Sequence, residues 1–250
     1  MTIWVVLMFL SLMLLLLMGY PVAFTSGAIA LVFGVIFLGV DFFTLLPLRI
    51  WGILTNFTLL AVPLFIFMGV ILDRSGIAED LLETMGKLFG KLNGGLALSV
   101  VIVGAMLAAT TGVVGATVVT MGIIALPTML KHNYSASLAS GTIAASGTLG
   151  QIIPPSIILI LLGDVMGVPV GRLFVGSIIP GLLLVTFFML YILIYAWHKP
   201  SVAPAFNLKQ NNFNYIDLIN TILPPLLLIL LVLGSIFLGI ATPTESAAVG

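Results

Sequence analysis

The chain has 250 residues, of which 61% are hydrophobic and only 6% charged, against about 25% charge in an ordinary soluble domain. Its eight basic and eight acidic residues balance to a net charge of zero, too few to cover a soluble surface and with no basic stripe for nucleic acid. Cysteine is absent, which excludes disulfides, thiolate metal sites and cysteine nucleophiles; most of the surface is expected to face membrane lipid.

A span needs about 20 apolar residues. The first is expected from Ile3 to Tyr20, closed by Pro21, and the second from Val22 to Val40, ending at Asp41. The start of the chain lacks a basic leader and an A-x-A site and reads as a retained first helix. Residues 41–52, with Arg49 and Trp51, suit an interfacial segment, and a third span is expected from Ile53 to Leu72. Over residues 73–93, Ile77, Leu81, Leu82, Met85, Leu88, Phe89 and Leu92 recur at helical spacing with charges on the other face. This predicts an amphipathic helix that either lies along the membrane surface or packs on the protein itself.

Residues 94–130 are too long for one span and marginal for two, with a polar, glycine-rich middle at Ala109–Thr117. After the wet turn Lys131-His132-Asn133, residues 136–163 form another apolar stretch, interrupted from Ala145 to Ser156 and leaving at Asp164. A helix is expected over 173–197, a hydrophilic connector over 198–216 and a last span from Leu218 to Ile240. The closing ATPTESAAVG reads as the start of another element. His132 and His198 each adjoin a lysine at the end of an apolar run and read as interfacial flanking residues.

Basic residues favour the cytoplasmic side. If 94–130 enters and returns, Arg74, Lys87, Lys91, Lys131, Lys199 and Lys209 share one face, and only Arg49 and Arg172 lie opposite. A single crossing would split the charges evenly. A hairpin with an extracytoplasmic N-terminus is therefore expected; the charges do not separate a re-entrant hairpin from two short spans.

Unwound backbone in hydrocarbon is expensive unless it lines a cavity or is buried in protein. Broken helices in transporters expose carbonyls to cations and amides to anions. The first interruption offers Thr110, Thr111, Gly112, Gly115 and Thr117, and the second Ser146, Gly147, Thr148 and Gln151, followed by Pro154 and Pro155, which lack N–H donors. No carboxylate lies in the middle of an apolar stretch, and neutral oxygens suit Na⁺ better than H⁺. No Walker loop, H-E-x-x-H or G-x-S-x-G occurs, so neither ATP use nor hydrolytic catalysis is expected.

The run TTGVVGATVVTMGIIALPTMLKHNYSASLASGTIAASGTLGQIIPPSIILILLGD resembles the large membrane subunit of tripartite ATP-independent periplasmic (TRAP) transporters, and ATPTESAAVG resembles a motif opening a helix in that family's second repeat. The resemblance implies an all-α polytopic membrane protein with an elevator-type fold of inverted repeats. It implies scaffold helices and an amphipathic arm over 1–93, a first transport repeat over 94–197 with a re-entrant hairpin and a broken helix, and the start of a second repeat over 217–250. Sodium would bind between hairpin tip and break at Thr110, Thr111, Gly112, Gly115, Thr117, Ser146, Gly147 and Thr148; Gln151, Pro154, Pro155, Ser156, Thr242, Thr244 and Glu245 would serve the substrate. Relatives with a serine-rich tip differ from TTGVVGAT, where Val113 and Val114 can offer only carbonyls. The implied system is a bacterial inner-membrane, Na⁺-coupled importer of small organic acids, with no other cofactor or metal. Its partners would be a small four-helix membrane subunit, a periplasmic substrate-binding protein and membrane lipid. A carrier of similar architecture that needs no binding protein is the alternative. Family members are expected to be longer, so the chain is expected to be a truncated form holding the first repeat and only the opening of the second, and an inactive fragment stays open as a further reading.

Overall fold

A computed structural model of the chain describes residues 2–205 and 215–250. Residues 206–214 of the expected connector, including Lys209, lie outside the described residues. Regular structure among the described residues is helical: α1 (Thr2–Leu17), α2 (Val22–Leu38), α3 (Phe42–Leu54), α4 (Phe57–Arg74), α5 (Ile77–Phe89), α6 (Gly95–Thr111), α7 (Val114–Lys131), α8 (Ala136–Thr148), a 3-10 turn (Leu149–Gln151), α9 (Ile157–Met166), α10 (Val170–His198), α11 (Tyr215–Phe237) and α12 (Pro243–Val249). Two compact units divide at Asn56/Phe57, inside the segment 1–93 grouped above as scaffold and arm.

The first unit holds α1–α3. α1 stops at Leu17 rather than Tyr20 because Gly19 takes φ 87° and the N–H groups of Gly19 and Tyr20 return to Leu16 O and Leu15 O, a glycine-terminated helix end. α2 stops at Leu38, before Gly39 at φ 68°. Trp4 meets Phe37 edge to face at 6.0 Å, tying α1 to α2. The segment 41–52, expected to be interfacial, forms the helix α3, which continues to Leu54, so the third span begins at Phe57 rather than Ile53.

Among its described residues, the second unit, Phe57–Gly250, has two cores. One surrounds α6, which is apolar on all sides and buried along most of its length, as such a helix must be. Leu81, Leu82 and Met85 of α5 join this core. The amphipathic helix thus covers its apolar face with the protein itself, while Leu88 and Leu92 of its stripe stay exposed. The other core gathers Phe65 and Met68 of α4, Ile160 of α9, Phe174 of α10, Val232 and Ile236 of α11 and Ala247 of α12.

α6 and α7 form a hairpin. Thr111 Oγ1 and Thr117 Oγ1 join them at the tip, 2.8 Å apart. At the base the buried Tyr134 hydroxyl accepts the Leu96 N–H at 3.2 Å. Gly94 N–H donates to Ala203 O and Ser135 N–H to Val202 O, so the chain leaving α10 sits at the same base. Residues 94–134 therefore depart from and return to one end, and Lys91, Lys131 and Lys199 flank it in sequence.

α9 runs past Asp164 to Met166, and α10 begins at Val170 rather than Leu173. Among the described residues, four helices are long and apolar enough to cross a membrane: α4, α7, α10 and α11 over Leu218–Phe237.

Candidate functional site

The first interruption is narrow. α6 stays helical through Thr111, Gly112 turns at φ 61°, Val113 is extended, and α7 starts at Val114. Only Gly112 and Val113 leave the helix, so Thr110, Thr111, Gly115 and Thr117 are helical. Glycine is favoured where the backbone turns left-handed to end a helix. The Gly112 N–H returns to Ala108 O at 3.1 Å, and the carbonyls of Ala109, Thr110 and Thr111 are left without a helical donor. Thr110 donates to Leu107 O at 2.8 Å and Thr117 to Val113 O at 3.1 Å. With the Thr117 proton so used, Thr111 is the donor in the Thr111–Thr117 pair, and its oxygen keeps both lone pairs. Thr110, Thr111 and Thr117 are buried and Gly115 is exposed.

The second interruption lies further along than the residue types suggest. α8 persists through Ser146, Gly147 and Thr148; the 3-10 turn follows, and the irregular backbone runs from Ile152 to Ser156 with a cis Pro154–Pro155 bond. Adjacent prolines cannot donate and they disfavour helix in the preceding residue. Ser146 donates to Ile143 O at 3.0 Å and Thr148 to Ala145 O at 2.7 Å. Ser156, fully buried, donates to Gln151 O at 2.7 Å and caps α9 by accepting the Leu159 N–H at 3.5 Å. Pro154 and Pro155 are buried; the side chains of Thr148 and Gln151 are exposed.

The two breaks are packed together through glycines. A Cβ on Gly112 would lie 3.2 Å from Pro155 O and 3.5 Å from Ile157 N, and one on Gly150 would lie 3.2 Å from Ala108 O. A Cβ on Gly147 would collide with Val118 of α7, and one on Gly104 would lie 2.6 Å from Ser146 Cβ. From α4, a Cβ on Gly69 would lie 2.6 Å from Thr111 Cα. The carbonyl end of α6 thus meets the amide end of α9, bringing opposite helix-dipole ends to one place. Gly69, Gly104 and Gly150 were not among the residues singled out from sequence. Gly69 and Gly104 carry the signal of an isolated glycine within an apolar run, which marks close packing, and Gly150 lies inside the second expected interruption.

Thr242, Thr244 and Glu245 are not brought to this place. Thr244 Oγ1 donates to Phe57 O, at the first residue of α4, at 2.6 Å. Gly69 is twelve residues further along α4, roughly 18 Å of helix. Glu245 Oε2 instead accepts from Thr242 N at 2.8 Å and from Thr242 Oγ1 at 2.9 Å, closing a capping box at the start of α12. Those bonds, the backbone one first, hold its carboxyl below the usual glutamate range.

Comparison with known proteins bears on this arrangement. The family model described as tripartite ATP-independent periplasmic transporter, DctM component, matches residues 9–250. The chain is 33% identical over 248 residues to the C4-dicarboxylate TRAP transporter large permease protein DctM of Vibrio cholerae, covering 98% of this chain and 53% of that protein. It is 34% identical over 205 residues to the DctM protein of Pseudomonas aeruginosa, covering 82% and 47%. It is 32% identical over 235 residues to the ectoine TRAP transporter large permease protein TeaC of Halomonas elongata, covering 94% and 54%. The chain spans about half the length of these curated relatives, which are transporter permeases and not enzymes.

Proposed function

This chain belongs to the DctM family of TRAP transporters, and we propose that it serves a sodium-coupled, binding-protein-dependent permease for small organic acids. The observation that carries this reading is the meeting of the two breaks, Gly112 against Pro155–Ile157. Its donor set suits a hard monovalent cation: the α6 carbonyls of Thr110 and Thr111 and the open lone pairs of Thr111 Oγ1. The opposed amide end of α9 at Ile157 suits a substrate carboxylate. Sodium binding would order the tip before substrate, which is linkage through one conformational equilibrium. The hairpin and broken helix would then move as a rigid carrier, in the manner of an elevator.

The protein is an integral membrane protein; its place is the bacterial inner membrane, beside a small four-helix subunit and fed by a periplasmic binding protein. The names of its relatives, which specify C4-dicarboxylate and ectoine, favour a small charged organic solute. Thr242, Thr244 and Glu245 act in this reading as the structural start of α12 rather than as substrate ligands.

The test is uptake by proteoliposomes holding the assembled permease and its binding protein. An inward Na⁺ gradient should drive accumulation of at least one acid from a panel, and an equal K⁺ gradient should not. Uptake that persists without sodium would overturn the coupling, and uptake that persists without the binding protein would overturn the tripartite reading.

A further inference from the structure

We propose that the cleft between α8 and α10 holds an anionic phospholipid of one leaflet, with an acyl chain in the cleft and its phosphate at Lys199. The cleft has a volume of about 550 Å³. Ser137, Gly141 and Ala145 line one wall, Phe187, Tyr191 and Tyr195 the other, and Val101 of α6 lies between them. Among the described residues, no carboxylate lines it.

Its length selects the occupant. From Ser137 to Ala145, and from Phe187 to Tyr195, is eight residues each, about 12 Å of helix. The hydrocarbon core is about 30 Å thick. A crossing helix from another chain needs a groove of that full length, whereas an acyl chain from one leaflet needs about half.

The ends of the cleft differ in charge, as the two ends of a lipid do. The bond from Ser135 N–H to Val202 O sets the start of α8 beside the chain leaving α10, so this is the basic end. Lys199 Nζ lies 5.8 Å from the centre of the Tyr195 ring, and that ring lines the cleft. A smaller cleft of about 170 Å³, lined by Tyr191, Ile194, Tyr195 and His198, adjoins it. The Tyr191 and Tyr195 rings stack at 5.8 Å, and tyrosine is the residue of the headgroup boundary. At the other end the lining is Ala145 and Phe187, which suits a chain terminus.

Gly141 supplies the probe. A Cβ there would meet no atom of the described residues within 4 Å, so their packing does not require glycine, and a larger side chain would enter the cleft. A lysine beside an anionic headgroup strengthens binding about fivefold.

Native mass spectrometry of the detergent-purified full chain tests this, titrated separately with dioleoylphosphatidylglycerol, dioleoylphosphatidylcholine and inorganic phosphate. Phosphatidylglycerol should be retained, phosphatidylcholine about fivefold more weakly, and phosphate alone not at all. Lys199→Gln should lower phosphatidylglycerol to the phosphatidylcholine level. Gly141→Leu should remove both lipids, and Ala145→Leu repeats that test from the deep end, with thermal unfolding showing which variants are folded. Lys87→Gln, which breaks an ion pair with Glu83 on α5, should change nothing. Equal retention of the two lipids, or full retention in a folded Gly141→Leu or Ala145→Leu chain, would overturn the proposal. So would a variant that changes the population of dimers and not of lipid adducts, since the cleft would then be a contact between copies.

Discussion

The two interruptions in the second unit are built by opposite means. At the α6–α7 tip two residues leave the helix, one a glycine at φ 61°, and the turn is held from outside by Gly69 of α4 and from within by the Thr111–Thr117 bond. Between α8 and α9 five residues are irregular; two adjacent prolines and a buried serine hold them locally. The tip depends on its neighbours approaching closely, and the second break carries its own restraints. A site made of both has one element that tertiary contacts can order or release, set against one that stays shaped.

The difference predicts a graded series. Gly69→Val should do the most damage, because the added Cβ meets backbone of Thr111 and not a movable side-chain end. Destabilisation of about 3 kcal/mol is expected, read by thermal unfolding in detergent, together with loss of sodium-dependent uptake. Near-normal stability in that variant would show that α4 does not hold the tip. Ser156→Ala should come next, at about 2 kcal/mol, since it removes a helix cap and leaves Gln151 O without its buried donor. If Ser156→Ala instead exceeds Gly69→Val, the second break is the fragile element and the contrast is reversed.

Thr117→Val should cost about 1 kcal/mol through the lost hydroxyl pair and should lower the apparent affinity for sodium. An unchanged sodium dependence would remove Thr111 and Thr117 from the site. Thr148→Ala should alter stability by less than about 0.5 kcal/mol, because its exposed hydroxyl bonds only Ala145 O. Any change in sodium dependence there reports ligation and nothing else; no change would assign Thr148 to the helix alone.

Both interruptions were legible in the sequence because small, polar and proline residues are conspicuous inside apolar runs. Their extents were not. The sequence places Thr110, Thr111 and Thr117 in an opened tip, whereas a single left-handed glycine ends α6 and the threonines return their hydroxyls to helix carbonyls or to each other. Ser146–Thr148 fall within the interruption expected from sequence, yet α8 holds them; the backbone leaves the α form in the 3-10 turn Leu149–Gln151 and is irregular from Ile152 to Ser156, around Pro154 and Pro155. Likeness alone points the terminal motif toward substrate, and in the structure its residues form a capping box and a bond to Phe57. Position along α4 separates those residues from the tip. The amphipathic helix α5 was legible in period and left open in partner, since period alone does not say whether lipid or protein covers an apolar face.

The most direct measurement of the central claim is hydrogen exchange at the amides of Val113–Gly115 and Ile157–Ile158 in the membrane-reconstituted protein, in Na⁺ and in K⁺ at equal ionic strength. Sodium should slow exchange at both places, more at the tip than at the start of α9, and leave α5 unchanged. Identical exchange in the two salts would contradict a sodium site between the breaks.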